Sequence, residues 1–253
     1  MNTADRLSDS GVNCGSHRRR RHARRRRQDR SGTALAFPVA VLGLRDINWQ
    51  AIGREVAAMG TAALSMPLRW LVADLEFDPT ARHPIPVVFV HGLLGDRTNF
   101  LPMRTYLTSV GIRSFATFSY GPRIDHHRLA DELGRAIDGI RDATGARQVD
   151  LVGHSLGGLV ARYVTESSRQ RAVRRLVTLG APYYTDAYPE QELAIFGDQD
   201  FLVRPPDRDG IRVIPDAGHL ALLYHPAVLR AVAAYLLRPR VIVPRLRSAR
   251  EAA

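Results

Sequence analysis

The chain has 253 residues, 36 basic and 25 acidic, with a formal net charge of +11 and one cysteine. That length suits one catalytic-sized domain with an extension, and 45% hydrophobic residues are enough to bury a sizeable core. The lone Cys14 excludes an intramolecular disulfide framework, and no apolar run is long enough to argue for a membrane span.

Residues 1–32 hold ten arginines against three aspartates, which is +7 of the formal +11. Arg18–Arg21 and Arg24–Arg27 form two blocks, and the composition predicts a disordered, Arg-rich tail. Such a run can bind nucleic acid or anionic lipid by counterion release. The chain contains no lysine, so arginine bias or a solubilising tail accounts for the blocks more simply, and nucleic-acid recognition is not expected. Thr33 to Leu44 follows as an apolar stretch. A basic region before an apolar one has the outline of an export signal, yet Pro38 interrupts the run and Arg45-Asp46 follow with no small-x-small site. A cytoplasmic or peripheral-membrane location is expected, with secretion as the alternative.

Residues 46–65 read as an amphipathic helix with Asp46 as N-cap, Ile47, Ile52, Val56, Met59 and Ala63 near helical spacing, and Pro67 as its stop. Two roles compete for it. The first is packing against a sheet. The second is a lipid-facing or lid-like element, with weak membrane-surface contact through residues 34–65. Residues 33–83 are therefore an N-terminal extension, 84–240 the catalytic domain, and 241–253 a basic C-terminal tail.

From residue 86 the chain alternates. Strands are predicted at 86–90, 113–119, 148–153, 174–180, 192–197 and 211–215, and helices at 98–110, 127–144, 156–168 and 225–237. Leu129, Leu133, Ala136, Ile137 and Ile140 share one face of the helix over 127–144, with Arg128, Asp131, Arg135, Asp138 and Arg141 opposite. This pattern predicts an α/β fold with a mostly parallel central sheet and helices on both faces. Right-handed crossovers would gather the loops after the strands on one rim. His126 and His127 read as an exposed loop pair, and no metal site is expected there.

Gly153-His154-Ser155-Leu156-Gly157-Gly158 lies between the strand pattern ending at Val152 and a helical run. Strand, sharp turn with serine at its tip, then helix is the frame of a G-x-S-x-G nucleophile elbow. Glycines flank the serine because strand and helix pass close together there. A serine hydroxyl is a poor nucleophile near neutral pH and needs a base, which in turn needs an orienting acid. Downstream, Asp198 and Asp200 lie on a turn after one strand, and His219 lies on a loop after another. His225 is a second histidine, at the start of the last helix.

The chain resembles the serine hydrolases of the α/β-hydrolase fold, and among them bacterial lipases and esterases. His91-Gly92-Leu93-Leu94-Gly95, the Ser155 motif, Val177-Thr178-Leu179-Gly180-Ala181-Pro182, Gly197 through Val203, and Gly218-His219 carry the resemblance. It implies Ser155 as nucleophile, Asp200 as acid and His219 as base, with the backbone N–H groups of Leu93 and Leu156 as the oxyanion hole. The family's Gly-x-x-Asp-x-x-Val pattern selects Asp200 and leaves Asp198 as a turn residue. It also implies no cofactor and a small-molecule ester or lipid substrate. Nine residues separate Pro182 from Glu192, where relatives insert a cap, so a trimmed cap and an open site are expected. Thr185 stands where lipases often have glycine. The implied activity is a carboxylic-ester hydrolase, esterase or lipase. The alternatives are an acyltransferase or perhydrolase using the same acyl-enzyme, or a ligand-binding protein that kept the fold.

Overall fold

A computed structural model describes residues 48–182 and 191–239. The expected Arg-rich tail, the apolar stretch after it, the basic C-terminus, and Tyr183, Tyr184 and Tyr188 lie outside the described residues.

Among the described residues, seven strands form one sheet: β1 (Leu75–Glu76), β2 (Val87–Val90), β3 (Phe115–Phe118), β4 (Val149–His154), β5 (Val173–Leu179), β6 (Glu192–Gly197) and β7 (Arg212–Ile214). Their order is β1-β3-β2-β4-β5-β6-β7, all parallel except the short β1, which pairs antiparallel with β3. Six strands match the sequence expectation. The two-residue β1 carries no periodicity and was not foreseen.

Successive residues of a strand point to opposite faces, and here each face has its own core. Val87, Phe89, Val152, Val177 and Ile195 pack with Met103 and Leu107 of α2 (Leu101–Ser109) and with Val228, Val232 and Leu236 of α5 (Pro226–Leu237). Val88, Val90, Leu151 and Leu176 pack with Leu129, Leu133 and Ile137 of α3 (His126–Thr144) and with Val160 and Val164 of α4 (Leu156–Glu166). Burying each such side chain stabilises the fold by roughly 1.5–3 kcal/mol. Near the start of the central strand β4, the fully buried Asp150 accepts hydrogen bonds from Arg174 and lies 3.0 Å from His83 Nε2.

Helix α1 (Trp49–Ser65) precedes the sheet. Its N-cap is Asn48, whose side chain accepts from the Ala51 N–H, rather than Asp46. The α-helix does end before Pro67, but the chain continues in a 3₁₀ turn through Met66–Leu71, since proline is tolerated in a first turn. The packing expectation for its apolar face is corrected. Ala51 and Ala58 are its buried residues, while Ile52, Val56, Met59 and Ala63 face solvent. His126 and His127 are likewise in the first turn of α3, capped by Asp125, and pack around Tyr163 rather than standing in a loop.

From β2 the chain moves to β3 on one side, then crosses back to β4 on the other and winds onward to β7. The switch point therefore lies between β2 and β4, and such crevices at strand C-termini are where open α/β sheets bind ligands.

Candidate active site

Ser155 follows β4 as the N-cap of α4, with φ 54° and ψ −125°. Positive φ is costly for a residue with a Cβ, about 1–3 kcal/mol, and persists only where the surroundings enforce it. They do so here. The Ser155 N–H donates to the Leu179 carbonyl at 2.8 Å, and its own carbonyl accepts from the N–H groups of Gly158 and Leu159. Gly157 lies against the carbonyls of Val90 and His91, where any Cβ would collide. The elbow therefore needs glycine for close approach, as its spacing implies.

Asp200 sits after β6 and is buried, whereas Asp198 is exposed. One Asp200 oxygen accepts from the N–H groups of Leu202 and Val203 at 2.9 and 2.8 Å. The other lies 2.7 Å from His219 Nδ1, with His219 itself buried on the loop after β7. Gly180 backs this pair at φ 53°, and a Cβ there would stand 3.0 Å from the Asp200 oxygen and 3.1 Å from Nδ1. His225 instead caps α5, accepting from the Ala227 N–H at 3.2 Å. The structure thus joins Asp200 to His219 and sets Asp198 and His225 aside from that pair. No hydrogen bond joins Ser155 Oγ to His219 among the described residues. Such bonds are often long before substrate binds and tighten in the complex.

The loop after β2 brings Leu93 to the same rim. Gly92 backs onto Ser155, where an added Cβ would come within 3.0 Å of the serine Cβ. Leu94 follows at φ 61°, and Asp96 and Asn99 close a capping box on the 3₁₀ turn Arg97–Phe100. Neither the Leu93 nor the Leu156 N–H meets a protein acceptor among the described residues, so both are available to a substrate oxygen. His91 is buried behind this loop. Its ring stacks on Tyr120 at 4.4 Å, Nδ1 lies 2.9 Å from the Gly92 carbonyl, and Nε2 accepts from the Tyr120 N–H. Burial lowers its pKa, which keeps it a neutral brace. Leu93, Leu94, Phe201 and Leu202 are exposed on the site-bearing loops and give the mouth an apolar edge.

Two residues to which the resemblance gives no role also hold the site. His154 is fully buried, and its Nε2 lies 3.1 Å from the His219 carbonyl. Glu55 of α1 accepts from the N–H groups of Leu220 and Ala221. The sequence offered no signal for Glu55, because a carboxylate on a helix 164 residues before His219 looks like any solvated charge.

Residues 85–204 match a family described as alpha/beta hydrolase fold. The chain has the α/β-hydrolase fold. Beyond this fold, the chain is similar to the triacylglycerol lipase of Burkholderia plantarii, at 32% identity over 133 residues, 49% of this chain and 36% of the relative. It is also similar to the triacylglycerol lipase of Pseudomonas fragi, at 34% identity over 92 residues, 34% of this chain and 31% of the relative. The chain therefore spans about a third of the length of these relatives. Among solved α/β-hydrolase structures, Bacillus licheniformis lipase BlEst2 in its mature form superposes with a TM-score of 0.51 at 16% identity, covering 63% of this chain and 94% of that one. No helix among the described residues is long and apolar enough to cross a membrane.

Proposed function

We propose that the chain is a serine hydrolase of carboxylic esters, with Ser155 as nucleophile, His219 as base and Asp200 as the acid that orients the imidazole. The observation that carries this reading is the buried 2.7 Å contact between His219 Nδ1 and Asp200. The carboxylate holds the proton on Nδ1 and leaves Nε2 free to accept one. In the reaction, His219 Nε2 takes the Ser155 Oγ proton as Oγ bonds to the ester carbonyl carbon. The N–H groups of Leu93 and Leu156 receive the oxyanion, which is often the largest single contribution to catalysis. His219 then gives its proton to the leaving alcohol as the C–O bond breaks. Water attacks the acyl-enzyme, loses a proton to His219, and releases the acid and Ser155. Every step uses protein groups and water alone. The triacylglycerol lipase relatives and the apolar mouth support an ester with an apolar acyl chain.

A lipid surface is the partner we assign to α1. Trp49, Ile52, Val56 and Met59 form an exposed apolar stripe, and an Arg-rich sequence lies upstream of it. An apolar stripe with dense positive charge upstream of it in sequence suits an anionic lipid surface.

A fluorophosphonate probe tests the catalytic reading. It should modify Ser155 and no other serine, and Ser155→Ala should lower kcat on nitrophenyl esters by about 10⁴- to 10⁶-fold without unfolding the chain. Absence of an adduct, or an adduct on another serine, overturns it.

A further inference from the structure

We infer that Glu55 is a positioning residue for His219, reaching the site from a helix that precedes the hydrolase sheet. This rests on the ester-hydrolase reading above. His219 lies between β7 and α5 in a segment whose only regular structure is the short 3₁₀ turn Ala221–Leu223. Asp200 fixes one ring nitrogen, but a ring held at one atom still moves with its backbone. The backbone is held from two sides. From inside, His154 Nε2 lies 3.1 Å from the His219 carbonyl oxygen. From outside, the two Glu55 carboxylate oxygens accept from the next two amides, Leu220 N–H at 2.7 Å and Ala221 N–H at 3.0 Å.

The preceding residue is fitted to the same carboxylate. Gly218 lies so close that an added Cβ would meet Glu55 Oε2 and stand 2.8 Å from its Cδ. Asn48 and Arg54, on the same helix and its cap, hydrogen-bond Asp216 at 2.6 and 3.1 Å, and Asp216 is itself at φ 53°. Residues 216, 218, 220 and 221 are thus all fixed by α1, with His219 among them.

The helix face explains why this contact matters. Ala51, Glu55 and Ala58 share one side of α1, and the two alanines are its buried residues. Small neighbours let the helix approach closely, and they bury little apolar area. The specific content of the face is therefore the carboxylate. Hydrogen bonds to a charged acceptor are roughly twice as strong as neutral ones. At the other end of the helix, Ser65 Oγ donates to Thr98 Oγ1 at 3.1 Å, just after the loop that carries Leu93. One helix spans both the histidine loop and the turn behind Leu93.

Misplacing a reacting group by about 1 Å can cost on the order of 10²-fold in rate. With a soluble nitrophenyl butyrate, Glu55→Ala should lower kcat by about 10- to 100-fold and leave KM within about threefold. Glu55→Gln keeps an acceptor oxygen for one amide and should recover part of the loss. Rates are divided by the number of sites titrated with fluorophosphonate, so unfolded protein does not count. The second readout is the low-field proton resonance of His219 Nδ1–H, which should shift or broaden in Glu55→Ala. Per-site kcat within twofold of the unaltered chain, with an unchanged His219 resonance in both variants, overturns the inference and leaves Glu55 a loop cap. If the unaltered chain neither hydrolyses esters nor takes up fluorophosphonate, the ester reading fails. The resonance comparison still decides whether Glu55 sets His219.

Discussion

His154 Nε2 lies 3.1 Å from the backbone carbonyl of His219, and the two rings are 4.7 Å apart. The residue before the candidate nucleophile thereby anchors the loop of the candidate base. The bond needs a proton on Nε2, which neutral imidazole supplies. Burial first, and then the neighbouring His219, push the His154 pKa down from 6.5 to about 3.

This shift makes stability depend on pH with a definite sign. The unfolded chain takes up a proton on His154 near pH 6.5, and the folded chain refuses it until about pH 3. The stabilisation from a neutral His154 is complete above 6.5 and is lost as pH falls toward 3. His91, also lowered by burial, acts in the same direction. His154→Gln keeps an N–H donor and removes the titration. Urea melts should give a shallower loss of unfolding free energy across this window, by about one proton, or 1.4 kcal/mol per pH unit. A slope equal to that of the unaltered chain would show that His154 is protonated in the folded state.

Asp200 and Asp198 can be separated by amide substitution. Asp200→Asn disturbs the tautomer of His219 and should lower kcat by about 10²- to 10⁴-fold. Asp198 is exposed and has no contact with His219 among the described residues, so Asp198→Asn should stay within about twofold. Equal losses from the two variants would remove Asp200 from its assigned role.

The sheet was legible because its signal is local. Val87 to Val90 is a continuous apolar run, as a strand covered on both faces must be, β4 is apolar at Val149, Leu151 and Val152 around Asp150, and α3 shows its period within its own residues. Ser155 was legible for the same reason, since the glycines that permit the elbow are its near neighbours. The N-terminal helix was located within a few residues, but its docking was not. Sequence periodicity reports which residues are apolar, not which face meets a neighbour, and here the helix docks on alanines and a carboxylate. The contacts of Glu55 and Asn48 span more than 160 residues and leave no pattern in either segment.

Truncation separates the tail from this helix. Removing residues 1–32 takes away charge and no contact described above, so kcat on a soluble short-chain ester should stay within about twofold. Removing residues 1–65 takes away Glu55, Asn48 and Ser65 as well, and per-site kcat should fall by about tenfold or more. If the shorter truncation alone produced the large loss, the boundary at residue 32 would be misplaced.

The outer side of α1 gives the last prediction. Ile52 is 44% and Met59 56% exposed, so aspartate at both positions buries no charge. Exposed substitutions of this kind usually change stability by no more than about 0.5 kcal/mol each. The melting temperature of the Ile52→Asp, Met59→Asp chain should therefore stay near that of the unaltered chain. Turnover of a soluble nitrophenyl ester should also hold, because both side chains are exposed and neither takes part in the hydrogen bonds from the histidine loop to Glu55. On anionic vesicles carrying a dispersed ester, the stripe would enter the interface, and binding there scales with the apolar area buried and with attraction to the lipid charge. Two carboxylates oppose both, so turnover on vesicles should drop by about tenfold or more, with vesicle binding measured by sedimentation falling in parallel. Equal losses on soluble and vesicle-borne ester, together with a lower melting temperature, would mean that the stripe is covered by protein in solution and not by lipid.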